Sequence, residues 1–136
     1  MSNPVETVAR GVFAAIDSSD WAGLADLLHE EHQFHFPMEP EPLGKQAHAA
    51  MTEGFSRAFS EFTHHIDELL VIGDKAVTRG TITARHTGDY QGIPATNKPV
   101  RFGFINIMRV VDGKNREEWV EMNMVALMQA IGALPG

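Results

Sequence analysis

Val100-Arg101-Phe102-Gly103-Phe104-Ile105-Asn106-Ile107-Met108-Arg109-Val110-Val111, followed by Asp112-Gly113 and then by Asn115-Arg116-Glu117-Glu118-Trp119-Val120-Glu121-Met122-Asn123, decides the fold. Successive side chains of a strand point to opposite faces. Phe102, Phe104, Asn106, Met108 and Val110 therefore share one face, and Ile105 and Ile107, flanked by Arg101 and Arg109, share the other. Asp112-Gly113 suits the positive φ angles of a type I′ turn, which predicts a hairpin joining strands near 100–111 and 115–123. The two-residue period begins near His64, predicting further strands at 64–72 and 75–87 around the turn Gly73-Asp74. Between the second and third strands, Asp89 to Pro99 carries the Gly and Pro content of a long ordered loop.

Upstream the period is helical. Val5, Val8, Ala9, Val12, Phe13 and Ile16 form an amphipathic stripe. Ser18-Ser19-Asp20 interrupts it and caps a second helix bearing Trp21, Leu24, Leu27 and Leu28. Gln33-Phe34-His35-Phe36 reads as extended and stops at Pro37, Pro40 and Pro42. A third helix runs from about Lys45 to Ser60, and a last turn or two with Val125, Leu127, Met128 and Ile131 closes at Gly132. Helices first and strands after predict an α+β fold, with the helices packed on the concave face of a curved antiparallel sheet. Such a sheet leaves a conical cavity suited to a small molecule.

The 136 residues suit one domain spanning 1–136. Net charge is −7, from 11 Lys+Arg and 18 Asp+Glu, and the basic residues are scattered. That distribution excludes tracking a phosphate backbone, so no nucleic-acid partner is expected. No apolar run approaches the ~20 residues of a membrane span. The first residues carry neither a basic nor an apolar signal region, so a cytoplasmic location is expected. The chain has no cysteine, which removes disulfides, thiol catalysis and thiolate metal sites. The charge balance favours a neutral, hydrophobic small molecule or a protein partner.

Asn106 places one amide in an apolar stripe. Left unpaired in the interior it would cost about 1–3 kcal/mol, so either a neighbouring group or a pocket ligand must bond it. Both faces of the 100–111 strand are partly apolar, and a sheet with two apolar faces must cover both. Helices cover one, and a homodimer through the outer face would cover the other. The 115–123 strand offers Glu117, Trp119, Glu121 and Asn123 on one face and Glu118, Val120, Met122 and Met124 on the other. Periodicity alone buries the second set, while the first holds a Trp, carboxylates and an amide. His86 sits with Ile82 and Ala84 on an apolar face, as a core residue or a base. His29, His32 and His35 are spaced by three across a helix-to-strand junction, so their rings need not converge, and no metal is expected. His64-His65 splits across two faces. No G-x-S-x-G elbow and no phosphate-binding glycine loop occurs. Met51, Phe55, Phe59, Phe102, Phe104 and Met108 are either pocket walls or plain core.

His86-Thr87-Gly88-Asp89-Tyr90-Gln91-Gly92-Ile93-Pro94-Ala95-Thr96-Asn97-Lys98 resembles the pattern H-x-G-[ED]-[FY]-x-G-I-P-P-T-G-K. Asp112-Gly113-Lys114, Glu117-x-Trp119 and Leu127-x-Gln129-x-x-Gly132 resemble D-G-K-I-x-E-x-W-x-x-x-D-x-x-x-L-x-x-Q-L-G. Both are marks of the SnoaL-like polyketide (ester) cyclases, within the nuclear transport factor 2-like superfamily. The resemblance implies a cone-shaped α+β barrel, usually dimeric. It implies intramolecular aldol closure of the last ring of an aromatic polyketide methyl ester, without metal or organic cofactor. An aspartate four residues after the motif Trp then acts as general acid/base, and the Trp119, Glu121 and Asn123 side looks into the cavity. The chain departs from the pattern there. Asn123 stands at the aspartate position, and an amide does not carry a proton near neutral pH. Asn123 is left to polarise a carbonyl, and the proton falls to Glu121, His86 or His35. Trp119, Asn106, Phe102, Phe104, Met108, Met51, Phe55 and Phe59 are the expected substrate contacts. A different reaction in the same pocket (isomerase, hydrolase or hydroxylation partner) or non-catalytic binding of a hydrophobic ligand stands beside the cyclase reading.

Overall fold

A computed structural model describes residues 3–135; Met1, Ser2 and Gly136 lie outside the described residues. Helix α1 (Pro4–Asp17) begins where Asn3 accepts from the backbone N–H groups of Val5 and Glu6. Helix α2 (Trp21–Leu27) is capped by Asp20, as its sequence predicts. Strand β1 (Leu28–His35) follows with no intervening loop. Leu28 is thus the first residue of a strand, where the apolar spacing had placed it in the helix, and it is fully buried. Helix α3 (Lys45–Ala58) likewise runs straight into strand β2 (Phe59–Ile72). Strands β3 (Lys75–His86), β4 (Pro99–Val111) and β5 (Lys114–Met122) and the short helix α4 (Met124–Ala130) complete the chain.

The five strands form one curved open sheet in the order β1-β5-β4-β3-β2. The consecutive strands pair antiparallel, and β1 joins the far edge parallel to β5. The fold is the α+β architecture expected, a curved sheet that is not hydrogen-bonded all the way round. Instead α3 packs against both edge strands, β1 and β2, and spans the gap between them. Two register shifts bend β2, one between Ser60 and Thr63 and one between Ile66 and Glu68. Opposite the second stands Gly80, where a Cβ would lie 2.1 Å from the His65 carbonyl oxygen. Only glycine permits that approach, and it lets β2 and β3 curl around the core.

The concave face carries the core. Val8, Val12, Phe13 and Ile16 of α1 pack over the β4 stripe of Phe102, Phe104, Met108 and Val110. On β4 the alternation is clean, with Met108 fully buried and Ile105 56% exposed on the other side. The β4–β5 register pairs Phe104 with Met122, Asn106 with Val120 and Met108 with Glu118. Directly opposed residues share a face, so Glu118, Val120 and Met122 belong to the concave side. Trp119 and Glu121 oppose Ile107 and Ile105 on the convex side. This corrects the expectation that the Trp119, Glu121 and Asn123 side looks into the cavity. The physical reason is parity: one residue of slip exchanges the two faces of a strand, and the hairpin register admits only this choice. No helix among the described residues is long and apolar enough to cross a membrane.

Candidate active site

A cavity lies between the concave face, α1 and α3, with walls that include Phe13, Phe34, Met51, Phe55 and Phe104. Three titratable side chains reach it: Glu118 from β5, His48 from α3 and His64 from β2.

Glu118 is 4% exposed among apolar neighbours. Its Oε2 accepts from Asn106 Nδ2 and its Oε1 from Asn115 Nδ2, both at 2.7 Å. Burial pushes its pKa up to about 7, against the opposing pull of those two amide hydrogen bonds. Near neutral pH the carboxyl can therefore both give and take a proton. The amide of Asn106 finds its partner here. The side-chain Oδ1 atoms of Asn106 and Asn115 have none among the described residues.

His48 stacks on Phe34, with ring centroids 3.6 Å apart. Its Nδ1 lies 2.8 Å from His32 Nε2, and His32 Nδ1 lies 2.7 Å from the Asn115 carbonyl oxygen. A carbonyl only accepts, so neutral His32 donates from Nδ1 and accepts at Nε2, and His48 donates from Nδ1. Burial holds His48 well below the ordinary imidazole range and lowers His32 in the same direction. Asp17, at the end of α1, grips His64 twice. Its Oδ1 lies 2.7 Å from the ring Nδ1, and its Oδ2 accepts from the His64 backbone N–H at 3.0 Å.

His32, His48 and Glu118 offer ligand atoms within 4.8 Å of one another. The 2.8 Å approach of the two imidazole nitrogens is nonetheless a hydrogen-bond distance. Two nitrogens bound tetrahedrally at ~2.0–2.1 Å to one metal would stand about 3.3 Å apart. The geometry fits a shared proton better than a shared cation. Of the three histidines spaced by three, only His32 joins this cluster.

The other expected site residues are distributed as follows. Asn106, Phe104, Met51 and Phe55 line the cavity. Phe102, Met108 and Phe59 are core beneath it. His86 is fully buried but serves the 87–98 segment: its Nδ1 lies 2.9 Å from Thr96 Oγ1, its ring stacks on Phe59, and its backbone bonds Asn97 and Lys98. His35 lies 2.8 Å from Glu117 Oε2 and stacks on Trp119, on the convex side. Glu121 and Asn123 border a separate shallow depression with Asp67 and Arg79. Asn123 is the N-cap of α4, its Oδ1 accepting from Ala126 N at 3.0 Å.

Asp17, His32, His48, His64, Asn115 and Glu118 are thus absent from the expected catalytic and substrate contacts, although His32 stood in the spacing of three weighed for a metal and His64 in a pair split across two faces. For Glu118 the signal was present: it is the one carboxylate on the face that periodicity buries, directly diagonal to Asn106. The free volume is ≈ 50 Å³, and a groove of ≈ 290 Å³ adjoins it, bordered by Asp89, Tyr90 and Gln91. Phe36, Met51 and Phe55 line both. Ligand cavities commonly hold roughly 300–1,000 Å³, so a bound molecule of that class must displace these three side chains and join the two spaces.

A sequence profile of the SnoaL-like polyketide cyclases matches residues 6–131. The chain is 31% identical over 121 residues to the aklanonic acid methyl ester cyclase DnrD of Streptomyces peucetius, covering 86% of this chain and 82% of that one. It is 30% identical over 121 residues to the aklanonic acid methyl ester cyclase DauD of Streptomyces sp. (strain C5), covering 86% and 74%. Among solved structures it superposes on TsrD of Streptomyces laurentii with a TM-score of 0.84, 30% identity and 96% coverage of both chains. The chain belongs to the SnoaL-like polyketide cyclase family.

Proposed function

We propose that this protein closes a ring by intramolecular aldol condensation of a neutral polyketide-like or aromatic substrate, with Glu118 as the carrier of the essential proton. The observation that carries this reading is a buried carboxyl at the wall of an apolar cavity, raised to about 7 and held by two amides. Aldol closure needs a base for a C–H proton and an acid for the developing alkoxide, and a group titrating near the working pH serves such steps best. Asn106 and Asn115 fix the carboxyl in one orientation. Glu118 thereby takes the part that the motif position of Asn123 lacks. On this reading the chemistry is proton transfer by side chains, within a single cytoplasmic domain. A second copy covers the convex face, where Ile105 is exposed beside half-buried Ile107 and Trp119.

The substrate's ring system lies in the groove under Tyr90 and Gln91, and its reacting end passes Phe36, Met51 and Phe55 to reach Glu118. The test is turnover of aklanonic acid methyl ester by the purified protein and by Glu118→Gln. Ring-closed product from the wild type, reduced about 10²-fold or more in the variant, is expected. Tight binding without product would replace the cyclase reading with a ligand-binding one.

A further inference from the structure

We propose that His64, held by Asp17, is the catalytic base of this cavity, and that Glu118 works opposite it as the acid. The proposal rests on the cyclase reading and divides its proton transfers between two side chains.

The geometry of the clamp carries it. Asp17 closes α1 and reaches across 47 residues of sequence to hold both the ring and the backbone of His64, at 2.7 and 3.0 Å. A carboxylate only accepts, so the ring donates from Nδ1, and in neutral His64 the lone pair falls on Nε2. The ring is walled by Phe13, Phe62 and Phe104, with centroids 4.8 to 5.4 Å away. It is itself part of the cavity lining. Nε2 makes no hydrogen bond among the described residues, so it is the nitrogen left for a substrate. A purely structural ion pair needs neither this enclosure nor a fixed tautomer. The same clamp keeps the ring oriented while it takes a proton. His48 is the weaker candidate. Its Nδ1 is already engaged by His32, and burial together with that neighbouring imidazole opposes charging it. The titratable groups around His64 are Asp17 from α1 and, across the cavity, His48 from α3 and Glu118 from β5. Strands β3 and β4 present Ile82 and Phe104 to it.

The step balances without a co-reactant. The proton of an acidic C–H bond passes to His64 Nε2. The carbon forms a C–C bond to the ketone carbon, whose π electrons move to oxygen, and that oxygen takes the proton of Glu118. The product is an isomer of the substrate. His64 gives its proton back to Glu118 through solvent as product leaves.

Two measurements test this. Nitrogen NMR of the imidazole rings in the free wild-type protein should find neutral His64 protonated at Nδ1; a proton on Nε2 overturns the proposal. Deuterium uptake from D2O at the reacting carbon of aklanonic acid methyl ester, above the uncatalysed background, separates the two roles. Glu118→Gln should keep the uptake and lose ring closure. His64→Gln should lose both by about 10²-fold, and Asp17→Asn should lose uptake while keeping the native thermal unfolding and altering the pH profile of exchange. Uptake at the wild-type rate in His64→Gln overturns the dyad and leaves the cyclase reading standing. A wild type that neither exchanges nor closes the ring overturns both.

Discussion

Glu117 and Glu118 are adjacent in sequence and opposite in fate. Glu117 points to the convex face. There burial alone would raise its pKa, but hydrogen bonds from His35 and Arg109 outweigh it and hold the carboxyl below its ordinary range. Glu118 points to the concave face, takes its hydrogen bonds from two amides, and rises to about 7. The two carboxyls differ in no covalent respect. One ends in a chain of charges at the surface, the other in an apolar chamber without a cation. The comparison teaches that the face of β5 a carboxyl occupies decides which way its pKa moves, although the two residues are neighbours in the chain.

The sharpest way to break the comparison is to neutralise each side separately. Glu118→Gln should reduce turnover by about 10²-fold or more, while Glu117→Gln should stay within about threefold of wild type in the same assay. Comparable losses in both would end the distinction between the faces.

Stability should show the same contrast. Because the folded-state pKa of Glu118 lies above its unfolded value of 4.5, the native state binds more protons between the two. Stability from this group is full below about pH 4.5 and declines as pH rises towards 7, by about 3 kcal/mol at 1.36 kcal/mol per pKa unit. Denaturant unfolding at pH 5 and pH 8 should find that decline in wild type and its absence in Glu118→Gln. A wild type equally stable at both, relative to the variant, would show the carboxyl to be ordinary.

Removing one support of the carboxyl is a gentler perturbation. Asn106→Leu takes away the donor at Oε2 and should cost about 1–3 kcal/mol by unfolding. It should also move the midpoint of the Glu118 decline to higher pH, because that bond favours the charged form. The smallest effect is expected at Asn123→Asp. Aspartate caps helices as well as asparagine does, and Asn123 borders the separate depression and not the cavity. Turnover within about twofold and stability within about 0.5 kcal/mol are expected. A large gain in turnover would return the essential proton to the motif position.

The strands and helices were legible because their signals are local. Asp112-Gly113, the alternation in 100–111 and the cap at Asp20 each act within a few residues. Asn97 adopts φ 58 where the family pattern has glycine, as its tolerance of that region predicts. The parallel pairing of β1 with β5 was not legible, because nothing near Leu28 announces a partner almost ninety residues away. The site failed to show for the same reason. Asp17 with His64, and His32 with His48 and Asn115, are pairings made by tertiary packing. Each partner alone reads as an unremarkable polar residue. Glu118 was half legible: its burial followed from periodicity, but its chemistry depended on knowing which face the helices cover.

Phe36, Met51 and Phe55, which part the cavity from the groove, are unbranched at Cβ and turn by changing rotamer, a movement that leaves the backbone at rest. Admission to the chamber is consequently a matter of three side-chain shapes on a scaffold that superposes on a relative of 30% identity at a TM-score of 0.84. A lineage can revise what the chamber admits by exchanging these three residues, which lie on α3 and just past β1, while the buried carboxyl on β5 stays untouched.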